Sequence, residues 1–209
     1  MKSLRFFAGA ILLYYDPSSH LKTGSRRKDV FCGRSGGMTA HQFAAIDVGY
    51  SGDGALAAAV LFSGWEQAEA EGVYTAQIRQ VASYEPGQFY LRELPCILAV
   101  LQKLGSLPEL ILVDGYVWLD EQWRPGLGAR LHHALRRECA VIGVAKSRFF
   151  TGRNVAELTR GRSGKPLFVT SIGVDLEQAA RGVRRMHGNH RIPALLAVAD
   201  RLSRGFARS

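Results

Sequence analysis

The chain has 209 residues, 47% apolar and 22% charged, a globular balance with length enough to bury a substantial core as one domain. Bulk disorder, collagen and coiled coil are excluded, and no apolar run reaches the about 18–20 residues of a membrane span. Net charge is +9, with thirteen Lys/Arg against four Asp/Glu in residues 146–209 after an acidic stretch over 38–145, a distribution that points to a polyanionic partner.

Residues 1–37 read as an appendage to a domain spanning 38–209. Lys2 and Arg5 precede an apolar stretch from Phe6 to Tyr15 that imitates a signal peptide, yet Asp16-Pro17 stands where a small-residue cleavage site belongs. Three readings stay open: a genuine signal or anchor, an ordered extension packing Phe6–Tyr15 on the domain, and a weakly ordered segment with Met38 as the real start. The rest is α/β. Phe43–Ile46 is an apolar strand ending at Asp47, and the Gly-rich Tyr50–Gly54 turns the chain into a second strand over Ala55–Phe62. Val73–Ala82 suits a third strand. Arg92–Leu104 has helical apolar spacing, with Pro95 expected in the first turn. Leu110–Val113 is a strand buried on both faces that ends at Asp114. Gly126–Arg137 reads as a helix and Val141–Ala145 as a strand ending at Lys146. After a basic loop come a strand over Leu167–Ser171 and helices over Leu176–Arg185 and Pro193–Ser203.

The polar residues fall where this order gives them meaning. Asp47, Asp114 and Lys146 close strands, Glu93 opens a helix, and ligands of open α/β sheets bind beyond strand ends. Each also has an ordinary use: an Asp before Gly forms turns, a first-turn Glu complements the helix dipole, a strand-end Lys is solvated. Together, three converging carboxylates repel one another and call for divalent cations, and Mg²⁺ prefers carboxylate oxygens with water and phosphate. A lysine alongside neutralises phosphoryl oxygens or positions water. Metal-dependent phosphodiester hydrolysis follows. No His stands within helical or hairpin reach of these acids, which disfavours zinc. Cys32, Cys96 and Cys139 lack C-x-x-C spacing and read as reduced thiols of a cytoplasmic protein.

The segments Ile46-Asp47-Val48-Gly49-Tyr50, Tyr84-Glu85-Pro86-Gly87 with Leu91-Arg92-Glu93, Leu112-Val113-Asp114-Gly115, Arg124–Ala129 and Ile142-Gly143-Val144-Ala145-Lys146-Ser147 occur in that order. Over residues 43–204 the chain thereby resembles the endonuclease V (deoxyinosine 3′-endonuclease) family. The resemblance implies a ribonuclease H-like α/β fold, with a mixed sheet of about five strands flanked by helices. It implies metal ligands at Asp47, Glu93 and Asp114, a catalytic lysine at Lys146, and Mg²⁺ as cofactor with Mn²⁺ able to substitute. The implied activity is hydrolysis of the second phosphodiester bond 3′ of deoxyinosine in DNA, or of inosine in RNA. A wedge at Tyr84, Pro86 and Gly87 separates bases, and glycines near Gly87 and Gly115 admit a flipped base. Ribonuclease H-like nucleases also place a fourth ligand on a C-terminal helix, where Asp200 stands; a solvated acid paired with Arg201 or Arg204 is the alternative.

The chain departs from the family pattern in several places. After Val-Asp-Gly it reads Tyr116-Val117-Trp118-Leu119-Asp120 with neither of the usual histidines, and Asp120 is a candidate substitute for the second. Glu85 replaces an apolar wedge residue, Val174 a polar one, and Ile192–Leu196 a Pro-Glu-Pro-Thr-Arg run. Arg148 beside Phe149-Phe150 suits a strand channel, or simply flanks buried aromatics. Arg153, Arg160, Arg162, Lys165, Arg181, Arg184, Arg185 and Arg191 are candidate phosphate contacts. The expected protein is a monomeric nuclease of DNA repair with no membrane association. The alternative is a catalytically weakened nucleic-acid-binding protein on the same fold.

Overall fold

The structure, a computed structural model, describes residues 42–205 apart from positions 84 and 86. The appendage at 1–37, the Met38 start and Cys32 lie outside the described residues. β1 (Phe43–Ser51), β2 (Gly54–Phe62) and β3 (Gly72–Ile78) form an antiparallel meander. Then come α1 (Tyr90–Leu101), β4 (Leu110–Val113), α2 (Leu127–Ala134), β5 (Ala140–Ala145), β6 (Ala156–Leu158), β7 (Leu167–Ile172), α3 (Leu176–Arg185) and α4 (Ala194–Ser203). The sheet order is β3-β2-β1-β4-β5-β7-β6, with β4 parallel to β1 and β5.

Seven strands replace the expected five or so. β6 escapes a sequence reading because three residues are too few to show alternation; its pairing with β7 extends the sheet edge. Alternation elsewhere assigns faces. Ala44, Ile46, Ile111 and Val113 pack under α1 and α2, while Ala45, Leu110, Leu112, Ile142 and Val144 pack under α3 and α4. Burial pushes the thiols of Cys96 and Cys139 up to about 11 and about 12, so both are inert.

Several boundaries differ from expectation: β3 stops at Ile78 rather than Ala82 and α1 at Leu101 rather than Leu104, and three further differences bear on the site. Asp47 is not a strand end: β1 runs on to Ser51, held by β2 alone once the β4 pairing stops at Ile46–Val113. Pro95 is the sixth residue of α1, since the helix starts at Tyr90; it leaves the Leu91 carbonyl without its helical donor. α2 stops at Ala134, where Arg136 and Arg137 turn left-handed at φ 55° and 65°.

The C-terminal end of α4 sits against β1 at Gly49, where a Cβ would lie 2.3 Å from the Ser203 carbonyl oxygen. Gly49→Ala must therefore lift α4 off the strand. We expect a loss of about 1–3 kcal/mol in urea unfolding, with a lowered cleavage rate, because the same helix carries Asp200 and Ser203. Unchanged stability would mean that α4 approaches less closely.

Candidate metal and nucleic-acid site

The parallel pairing that ends at Ile46–Val113 puts the next residues of both strands, Asp47 and Asp114, side by side. Asp47 shares the face of Ala45, which is covered by α4. Asp200 comes down from that helix, so the three carboxylates offer oxygens within 4.8 Å of one another. Lys146, just past β5, places its ammonium 2.6 Å from Asp114 Oδ2 and 3.4 Å from Asp200 Oδ1. Asp200 also accepts from Arg204. It is thus both a member of the cluster and an ion-pair partner, the two uses left open by its position.

Glu93 reaches the same cleft from the opposite face of the sheet, on α1. It is 8% exposed and outside the three-carboxylate group. Burial pushes its pKa well up, and the negative charges of Asp47 and Asp114 push it further. Asp47 is raised for the same reasons, burial first and then Asp114 and Asp200, against the opposing hydrogen bond from Ser203. Burial works against the Lys146 ammonium, but its contacts with Asp114 and Asp200 outweigh this and raise its pKa. Burial would raise Asp200 as well, yet Arg204 and Lys146 hold it below the usual carboxylate range.

Ser203 was not singled out in the sequence. Its buried hydroxyl donates to Asp47 Oδ2. The available signal was its position three residues after Asp200, on the same helical face. Phe89 and Phe149 were likewise missed as a pair. They are 44% and 60% exposed and both line the cleft of about 740 Å³ that contains Asp47, Glu93, Asp114 and Lys146. Gly87 and Gly115 have φ of +78° and +137°, and nothing among the described residues lies within 4 Å of where a Cβ would stand on either. Tyr84 and Pro86 of the wedge lie outside the described residues. Glu85 accepts from Gln88 Nε2 at 2.7 Å in the adjoining turn.

The segment after Asp114 is firmly held without its histidines. Tyr116 donates to the Ser147 carbonyl (2.9 Å) and accepts from the Phe149 amide (3.1 Å). The Val117 amide donates to Thr170 Oγ1, and Trp118 Nε1 to the Ser171 carbonyl. Gly143 permits this crossing, since a Cβ there would lie 2.5 Å from the Gly115 carbonyl oxygen. Asp120, the candidate substitute for the second histidine, lines neither the cleft nor the carboxylate group; it accepts from the Arg124 amide and pairs with the Arg124 guanidinium, both at 3.0 Å.

Two of the candidate phosphate contacts are internal. Arg160 is buried and donates to the carbonyls of Arg184, Met186, Gly188 and His190. Arg191 donates to the carbonyls of Lys146 and Pro166, fixing the backbone that carries the ammonium. Arg148 stays half-exposed but pairs with Glu157 at 2.6 Å. Of its aromatic neighbours, Phe149 faces solvent, whereas Phe150 packs with Tyr116, Ala145 and Phe168.

All the converging donors are oxygens, which fits a hard divalent cation. A buried Glu93 with no hydrogen-bond partner among the described residues fits one too.

The family model described as Endonuclease V matches residues 33–165. The endonuclease V of Roseiflexus sp. (strain RS-1) is 33% identical over 184 residues, covering 77% of this chain and 79% of that protein. The crystal structure of the Streptomyces avermitilis endonuclease V superposes with a TM-score of 0.63 at 28% identity, covering 80% of this chain and 81% of that one. The Ciona intestinalis endonuclease V, solved with a 24-nucleotide DNA containing an inosine followed by a ribo-adenosine, shares the fold. Its TM-score is 0.67 at 22% identity, over 81% of this chain and 87% of that one.

Proposed function

The chain belongs to the endonuclease V family, and from that premise we propose that it hydrolyses a phosphodiester bond on the 3′ side of deoxyinosine in DNA, or of inosine in RNA, using Mg²⁺ or Mn²⁺. The observation that carries this reading is the meeting of the Asp47, Asp114 and Asp200 carboxylates, with Lys146 against Asp114. Asp47, Asp114 and Asp200 would hold the cation, with Glu93 completing the set from α1. A divalent cation held there would lower the pKa of a water and offset negative charge building on the phosphoryl oxygens. The Ser203 hydroxyl keeps the Asp47 carboxylate oriented. The Lys146 ammonium, steadied through its backbone by Arg191, is placed to meet a phosphoryl oxygen. A flipped base would lie against the bare backbone of Gly87 and Gly115, with the Phe89 and Phe149 rings as stacking surfaces.

The alternative, a catalytically weakened binding protein, has no support in this arrangement. The carboxylate cluster is costly to a fold that does not use it, and three acids and a lysine still meet here. No helix among the described residues is long and apolar enough to cross a membrane; with reduced, buried Cys96 and Cys139, a cytoplasmic monomer is the proposed form.

The test is cleavage of end-labelled DNA and RNA strands carrying one inosine, in Mg²⁺ and in Mn²⁺. The expected product is a single cut one nucleotide 3′ of inosine, lost in Asp47→Ala. No cut in either metal, with binding retained, would return the protein to the binding-module reading.

A further inference from the structure

The basic last third of the chain forms a second concavity, a cleft of about 1380 Å³ between the β6–β7 connection at 159–163 and the stretch from the end of α3 to the start of α4 at 184–194. Its walls are pinned to each other. Arg160 spends its guanidinium on four carbonyls of the opposite wall. Gly161 lies so near that a Cβ would stand 2.3 Å from the Asn189 carbonyl oxygen. A buried cation thus fixes the exposed ones.

Arg162 and Arg184 are exposed and make no ion pair among the described residues, and His187 and His190 stand exposed beside them. Glu66 is the one acid among the described residues that line the cleft, and Arg185 already pairs with it at 3.0 Å. At Ile192 and Ala197 the cleft adjoins the pocket that contains Asp47, Asp114, Lys146 and Asp200. Arg191, which lines the basic cleft next to Ile192, reaches the Lys146 carbonyl.

We propose that this cleft binds the phosphodiester backbone of the substrate on one side of the lesion only. Two unpaired guanidiniums on a rigid frame suit bidentate contacts to phosphate oxygens, made without reading sequence. Continuity with the carboxylate pocket favours the substrate itself over a separate phosphate ligand. The proposal rests on the reading of the chain as a nucleic-acid enzyme and adds the route by which the duplex leaves the site.

The test uses the full chain and the double variant Arg162→Ala/Arg184→Ala, whose side chains are exposed and whose unfolding midpoint should match the parent. Binding is followed by fluorescence anisotropy on three inosine duplexes: one short, one extended by a helical turn on the 5′ side, one extended equally on the 3′ side. The parent should bind one of the extended duplexes more tightly than the short one. The variant should lose that gain, weakening on that duplex by about tenfold, with the slope of log affinity against log salt falling by about 1 for each lost contact. Affinity for the short duplex should stay within twofold. Equal losses on both extended duplexes, or no loss on either, overturn the proposal. Matched duplexes without inosine are run alongside. If the parent neither prefers inosine nor cuts it, the functional reading fails, while the one-sided loss still reports on the cleft.

Discussion

Asp114→Ala is expected to reduce cleavage of an inosine strand by about 10³-fold or more, the size of several kcal/mol withdrawn from the transition state. The fold should survive, because the Asp114 side chain is 41% exposed and follows a strand whose apolar run is complete at Val113. Substrate binding should also survive, since the change removes a negative charge from a surface that meets phosphates. Single-turnover cleavage together with an unfolding curve separates the effects. Retained cutting by a clean preparation would remove Asp114 from the ligand set, and a collapsed unfolding midpoint would make its role structural.

The second large effect concerns stability. Glu93 is buried beside two carboxylates, and its pKa in the folded chain is raised by burial and by Asp47 and Asp114. An unfolded glutamate titrates near about 4.3. The folded state therefore holds a proton that the unfolded state gives up, and the stability this lends is lost as pH rises from that value through the raised folded one. Glu93→Gln should make the cation-free protein more stable at pH 8, on the order of 1–3 kcal/mol, with the difference vanishing near pH 4. It should also abolish cleavage and shrink the stabilisation that Mg²⁺ gives the parent. Urea unfolding of both proteins across pH, without and with Mg²⁺, decides it. A pH-independent difference would mean that Glu93 is not charged against its neighbours.

Much of this site was readable because strand ends are readable. Asp114 and Lys146 each follow a continuous apolar run, and two parallel strands ending together must bring their next residues close. Asp47 was found by the same rule although β1 continues past it; what ends at Ile46 is the pairing with β4, which a lone sequence does not display. The arginines were harder. Arg160 and Arg191 have the composition of a phosphate-binding surface, but backbone carbonyls compete for guanidinium donors as well as phosphates do, and only the loop geometry decides. Asp120 lies away from the carboxylates and is engaged by Arg124, four residues on, a placement that a lone sequence does not display. The departures around Tyr116–Asp120 and Ser171–Val174 looked independent along the chain. Trp118 Nε1 on the Ser171 carbonyl, with Ser171 Oγ donating to the Val174 carbonyl, makes them one connected change. Ser203 went unread because a buried serine three residues from an acid resembles ordinary helix filling.

The contact between Ser203 and Asp47 joins positions 156 residues apart. On the proposed ligand set, cutting depends on the docking of α4 against β1. A partly assembled molecule, or one whose last helix has peeled from the sheet in a local opening, lacks Asp200 and leaves Asp47 unsupported. Such an opening would disarm the proposed site while leaving most of the sheet intact, so loss of cutting is expected to come early in fraying.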